Sequence, residues 1–253
     1  MDKNAYSDVV LVTSDEKSIN YKWENNSEKL KAIDVISADY GWKDGKFENF
    51  EFIGLIPNTE QVFLKSPFEK NTYVAIEKAE DDFFKKKISL YKKIVRKLGA
   101  KNFSAKAEFI EEKRISNEGS VNISYAPAAD LSVSAKTEIE NKIAKNYELE
   151  AKFQKDDEPF DRALGYKNAK EDLEKYNLQK EYDLVDLIEG CDPNEQNTYS
   201  SQIVKFELTA ELNSLIELSA NINVMGGVFE LGTSFKQRTE SLKKIVLRTE
   251  VNF

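Results

Sequence analysis

The sequence predicts an α+β fold dominated by long, twisted antiparallel β-hairpins. Three observations predict it. Nine of the 12 odd positions from Leu131 to Phe153 are apolar, and 10 of the 11 even positions from Val204 to Val224 are apolar. Period-two alternation of this kind marks a half-buried strand. A helical pattern rich in Lys and Arg precedes the alternating region, and an acidic, helix-like insert divides it in two.

Taken in order, residues 1–70 read as a mixed α+β segment. Val9–Val12 is a short apolar run fit for a buried strand, and Ser27–Ile36, with Leu30, Ile33 and Ile36 on one side, reads as a short helix. Asp44-Gly45 marks a turn before Phe47, Phe50 and Phe52, and Pro57, Asn58 and Pro67 punctuate the exit. Residues 72–98 form the predicted basic amphipathic helix. Asn71 or Thr72 is its cap, and Gly99 stands just past its end. Ile76, Phe83, Phe84, Ile88, Tyr91, Ile94, Val95 and Leu98 recur at helical spacings.

Hairpin 1 spans 103–154, its strands 103–125 and 131–154 joined through Ala126-Pro127-Ala128-Ala129-Asp130. Asn117-Glu118-Gly119 bends or bulges the first of them. The helical insert, 156–195, opens at Asp156-Asp157-Glu158-Pro159 and closes at Gly190-Cys191-Asp192-Pro193. Hairpin 2 spans 203–253, with Met225-Gly226-Gly227 as its turn, and Gly-Gly suits a two-residue hairpin loop. The same long segments also hold helical spacings, such as Ile139, Ile143 and Tyr147, or Leu208, Leu212 and Ile216, so a helical alternative stays open for them. The chain is expected to form a single domain over 1–253.

Composition narrows the function. The 253 residues contain no histidine, one cysteine (Cys191) and a net charge of −8. Histidine-based catalysis, histidine metal sites and an intrachain disulfide are thereby excluded. An acidic chain without a recognition motif is a poor nucleic-acid binder. No phosphate loop, calcium-loop spacing or activated nucleophile is present, so no enzymatic role, cofactor or metal is expected. The first residues do not make a signal peptide, and no stretch approaches the roughly 20 apolar residues of a spanning helix. The expected location is cytoplasmic.

Charge is segregated along the chain. Residues 85–101 carry eight bases and no acid, while 156–195 carry 13 acids and five bases. These runs are either two solvated helix faces that attract each other, or, for the first, a helix that docks on anionic lipid through Lys85, Lys86, Lys87, Lys92, Lys93, Arg96 and Lys97. Strands of 20 or more residues are far longer than the usual five or six, and 24 residues extend about 80 Å. They must bend, break or be covered. Two functional classes follow: a pore-forming effector, or a non-enzymatic β-rich scaffold or tube subunit that self-associates through its strands.

The arrangement of a basic helix around Lys85–Lys97, hairpins 103–154 and 203–253, and the insert 156–195 resembles gasdermin-type pore-forming domains. It is also similar in outline to membrane-attack-complex and perforin-type domains. The likeness covers most of the chain and is one of pattern, with no specific motif. It implies a soluble intracellular precursor in cell death or defence that moves to the membrane on activation. Its implied partners are anionic membrane lipids, further copies of itself and an activating protease. Leu131, Val133, Ile139, Ile143, Phe206, Leu208, Leu212, Ile216, Leu218, Phe229, Leu231 and Phe235 would then face lipid. This chain departs from bacterial members in lacking an acylatable cysteine near its first residues, and no separate inhibitory segment follows the last strand before Phe253.

Overall fold

The computed structural model describes residues 7–23, 33–38, 49–56, 60–111, 124–127, 149–153, 160–194, 201–207 and 245–253. The fold is α+β, as the alternation and helical patterns predict. The described residues separate into two compact units, one up to Phe84 and one from Lys85 onward.

The first unit is built on a five-stranded mixed sheet. Its strands are β1 (Val9–Thr13), β2 (Ile33–Ser37), β3 (Glu51–Ile53), β4 (Gln61–Lys65) and β5 (Thr72–Ala75), in the order β2-β1-β4-β5-β3. Helix α1 (Asp15–Trp23) carries the chain from β1 to the parallel β2, a crossover that parallel neighbours require. Strands β1 and β5 are buried along their whole length, and so are four of the five residues of β4. Val10, Val12, Ile36, Phe63, Tyr73 and Ala75 form one core layer. Phe52 stacks on Tyr73 with centroids 5.4 Å apart and meets Phe63 edge-on at 5.1 Å.

Two expectations are corrected here. Within the predicted helix 27–36, Ile33–Ile36 belong to β2, because β-branched Ile33, Val35 and Ile36 extend beside β1 with Val9 opposite Ile33. The predicted helix 72–98 begins only at Ile76. Thr72-Tyr73-Val74-Ala75 is a buried strand that the turn at Asn71, with φ 60°, sends back along β4. The helix itself, α2 (Ile76–Lys97), ends at Gly99 with φ +90°, where glycine avoids the left-handed penalty.

The second unit holds a wholly antiparallel sheet. Strand β6 (Asn102–Glu111) pairs with β7 (Ser124–Pro127), β8 (Leu149–Lys152) and β10 (Ile245–Asn252), and β10 pairs with β9 (Ser201–Glu207). Strand β8 takes the first residues of β6 and β7 the last, on the edge away from β10. The sheet is amphipathic in burial. Phe103, Ala105, Thr249 and Val251 are buried, whereas Asn102, Lys106, Glu150, Lys152, Arg248 and Glu250 are exposed.

The end segments of predicted hairpin 2 pair as β9/β10, and those of predicted hairpin 1 as β6/β8. The continuous strand 103–125 is corrected. Glu111 pairs with Ser124 and Ile110 with Tyr125, so the chain reverses between Glu111 and Ser124 and β7 runs back along β6. This ladder is centred on the bond between Asn117 and Glu118, the place read from sequence as a mere bend. Residues 131–148 and 208–244 lie outside the described residues.

The insert contains two helices, α3 (Arg162–Lys175) and α4 (Tyr182–Glu189). Asp161 caps α3 by accepting from Leu164 N at 3.0 Å, as an N-cap aspartate does. Ala169, Leu173, Leu178, Leu184, Leu187 and Ile188 are buried, and α4 lies against β9.

Candidate functional site

The basic half of α2 is where the predicted lipid-binding residues stand. Helical spacing distributes them unequally. Lys85, Lys92 and Arg96 are spaced by seven and four and share one stripe. Lys85 and Arg96 are exposed and Lys92 is half-buried. Neither Lys92 nor Arg96 has an ion-pair partner among the described residues.

The other cations of the helix meet the insert. Lys87 is 2% exposed, and its Nζ donates to Glu181 Oε1 at 2.8 Å. Tyr91 donates its hydroxyl to the other oxygen, Oε2, at 2.9 Å. Asp172, also buried, takes two lysines. Lys93 Nζ donates to its Oδ1 at 3.2 Å and lies 3.2 Å from Oδ2, and Lys97 Nζ lies 2.5 Å from Oδ2. The Oδ2 contacts are ion pairs without aligned hydrogen bonds. Lys97 also donates to the Asn168 carbonyl at 3.3 Å. Lys93 donates to Tyr176 Oη at 3.2 Å and sits 4.8 Å from that ring's centroid. Lys86 is half-buried.

These contacts shift two titrations. Partial burial works against the Lys93 ammonium, but hydrogen bonds to Tyr176 and Asp172 outweigh it and raise its pKa. The Lys93 hydrogen bond lowers that of Tyr176, against a smaller effect of burial.

Close backbone approach makes the contact between α2 and α3 tight. A Cβ at Gly165 would collide with the Lys97 carbonyl oxygen, and one at Gly99 would meet the Phe160 ring. Helices α3 and α4 are tied to each other. Tyr166 donates to Glu189 Oε2 at 2.7 Å, and Lys170 reaches Glu189 Oε1 at 2.9 Å and Tyr166 Oη at 3.1 Å.

The sequence pattern anticipates attraction between the basic and acidic runs, while the particular acceptors Glu181, Asp172, Tyr176 and Asn168 escape it. Their choice depends on how α3 and α4 pack, which local charge counts do not encode. Tyr91, expected only as an apolar residue, adds a polar contact.

Of the residues expected to face lipid, Phe206 lies in β9 opposite Leu247. Leu131, Val133, Ile139, Ile143, Leu208, Leu212, Ile216, Leu218, Phe229, Leu231 and Phe235 lie outside the described residues. Cys191 is half-buried, and burial pushes its thiol up to about 11, slightly offset by Arg162. Such a thiol holds little thiolate at neutral pH. Among the described residues no group of acids and cysteine is placed to hold a metal ion, and no helix is long and apolar enough to cross a membrane.

The chemistry available on α2 is recognition of anions by ammonium and guanidinium groups. No family model, curated protein or solved structure matches this chain.

Proposed function

We propose that the protein is the precursor of an oligomeric membrane pore, docking on anionic lipid through α2 and inserting the alternating strands of segments 103–154 and 203–253. One observation carries the reading. In the β9/β10 ladder, Val246 faces Glu207 and Asn252 faces Ser201, so every pair is centred on the bond between residues 226 and 227. Continued without a bulge, that register would pair Met225 with Val228 and leave Gly226-Gly227, the chain's single Gly-Gly pair, as a two-residue turn. Register and alternation, two independent signals, thus support one long amphipathic hairpin.

The adjacent pairing of β6 with β10 supports the reading further, because it joins the stems of both hairpins into one antiparallel sheet. An open sheet cannot sit in hydrocarbon, since its edge strands leave backbone groups unpaired. Several chains must therefore close into a ring, apolar side to lipid and charged side to a wet lumen. First contact falls to Lys92 and Arg96, which make no ion pair with the insert among the described residues.

Dye release tests the proposal. Leakage from vesicles rich in phosphatidylserine, weak leakage from neutral ones, and loss of leakage in Leu212→Asp/Ile216→Asp are expected. Self-association into tubes or sheets in lipid-free buffer, without any leakage, would favour the scaffold instead.

A further inference from the structure

We infer that the helical insert is an autoinhibitory cover for the basic helix, held by Glu181 and Asp172 and released before full membrane docking. The inference rests on the membrane-docking reading above and adds its regulation.

Three of the seven cations in the basic half of the helix, Lys87, Lys93 and Lys97, are held by insert acceptors. Simple solvated faces would leave long lysines in water, because exposed ion pairs contribute little against the entropy of holding them. Here Lys87 is 2% exposed, and Asp172 lies buried between two ammonium groups. Lys87 is drawn out of the reach of a headgroup phosphate, while Lys93 and Lys97 keep side-chain exposures of 43% and 30% but have their charges engaged by Asp172. Glu181 and Asp172 offer carboxylates where an anionic surface would otherwise offer phosphates, so lipid and insert compete for the same charges. Lys92 and Arg96, which make no ion pair with the insert among the described residues, stay outside this competition. The arrangement therefore makes docking two-staged, with a weak contact through Lys92 and Arg96 and a stronger one once the insert lets go.

The insert is built to leave as one piece. Tyr166, Lys170 and Glu189 join α3 to α4, so losing the ties to α2 does not require losing the contacts within the insert.

Flotation with vesicles of phosphatidylserine and phosphatidylcholine, against phosphatidylcholine alone, tests the cover on the full chain. The variants are Glu181→Gln/Asp172→Asn and the milder Asp172→Asn, which leaves the buried Lys87 pair intact should the double variant fail to fold. Freeing two cations at about fivefold each, reduced by screening, predicts about tenfold tighter binding to the acidic vesicles for Asp172→Asn, with none to the neutral ones. A folded Asp172→Asn that binds acidic vesicles no better than the parent, while Lys92→Glu/Arg96→Glu loses binding, overturns the cover and leaves membrane docking standing. If parent and all variants fail to bind acidic vesicles, docking itself is wrong and the cover falls with it.

Discussion

The ammonium of Lys87 and the carboxylate of Glu181 lie 2.8 Å apart, with the lysine side chain 2% exposed. Breaking a buried pair by removing one partner costs about 3–5 kcal/mol, because the other charge is left uncompensated, whereas an apolar pair of similar volume is often tolerated. Glu181→Ala is therefore expected to lower stability by that amount, and Lys87→Met/Glu181→Leu to recover most of it. Urea denaturation of the three proteins checks this. Equal midpoints for Glu181→Ala and the parent would show that the pair contributes nothing.

Gly165 tests the close approach of α3 to α2. Alanine at an open helical site is worth about 1 kcal/mol over glycine. At Gly165 its methyl would collide with the Lys97 carbonyl, which cannot swing aside as a flexible side chain can. A net loss of about 1–3 kcal/mol is expected, seen as a lower thermal midpoint. A higher midpoint would contradict the packing.

The Cys191 thiol, pushed up to about 11 by burial, should alkylate slowly at pH 8. Its rate with iodoacetamide should keep climbing toward pH 11. A plateau near pH 8.5, the ordinary thiol range, would show an open, unperturbed cysteine.

Glu189 links α3 and α4 with a lowered pKa, first through Lys170 and then through Tyr166. A depressed carboxyl contributes stability above its ordinary value of 4.5, and that contribution is lost as pH falls through the lowered value. The pair is half-exposed, so the effect should stay below about 1 kcal/mol and shrink with salt. Glu189→Gln should therefore flatten the acid limb of the stability profile slightly, its difference from the parent vanishing once the carboxyl is protonated in the folded protein.

The hairpin register is open to crosslinking. With Cys191→Ser as background, Asn213→Cys/Glu240→Cys should form a disulfide on oxidation, since that pair is centred on the same bond as the β9/β10 ladder. Asn213→Cys/Ser241→Cys should not, because a one-residue slip turns its side chain to the other face. Crosslinking of the second pair alone would move the turn away from Gly226-Gly227.

The sequence made some elements legible and hid others for physical reasons. Helix α2 could be read from its apolar spacing, its charge order and Gly99. Strand β5 could not be separated from it, because Tyr73 and Val74 continue the apolar run without a turn residue before Ile76. Helix α1 carries a readable signal in Ser14 followed by Asp15 and Glu16, acids in a first turn, yet its polar body lacks an apolar stripe. Strand β7 was hidden because Asn117-Glu118-Gly119 suits a bend as well as a reversal, and only pairing of Ile110 with Tyr125 decides between them. At the site, the opposed charge runs foretold attraction. Which lysines are held follows from their positions around α2 together with the placement of α3 and α4, a tertiary property. The quadruple replacement of Lys92, Lys93, Arg96 and Lys97 by Glu, natural from sequence alone, would set two acids against Asp172. Lys92→Glu/Arg96→Glu is the cleaner probe of docking.

The central claim is that these hairpins perforate membranes, and dye release from phosphatidylserine-containing vesicles tests it most directly. The Asp172→Asn protein should release the dye at lower concentration than the parent, form rings visible by electron microscopy, and lose release but keep vesicle binding when Leu212→Asp/Ile216→Asp is added. Tight binding of Asp172→Asn to those vesicles with the dye retained and no rings formed would contradict the account.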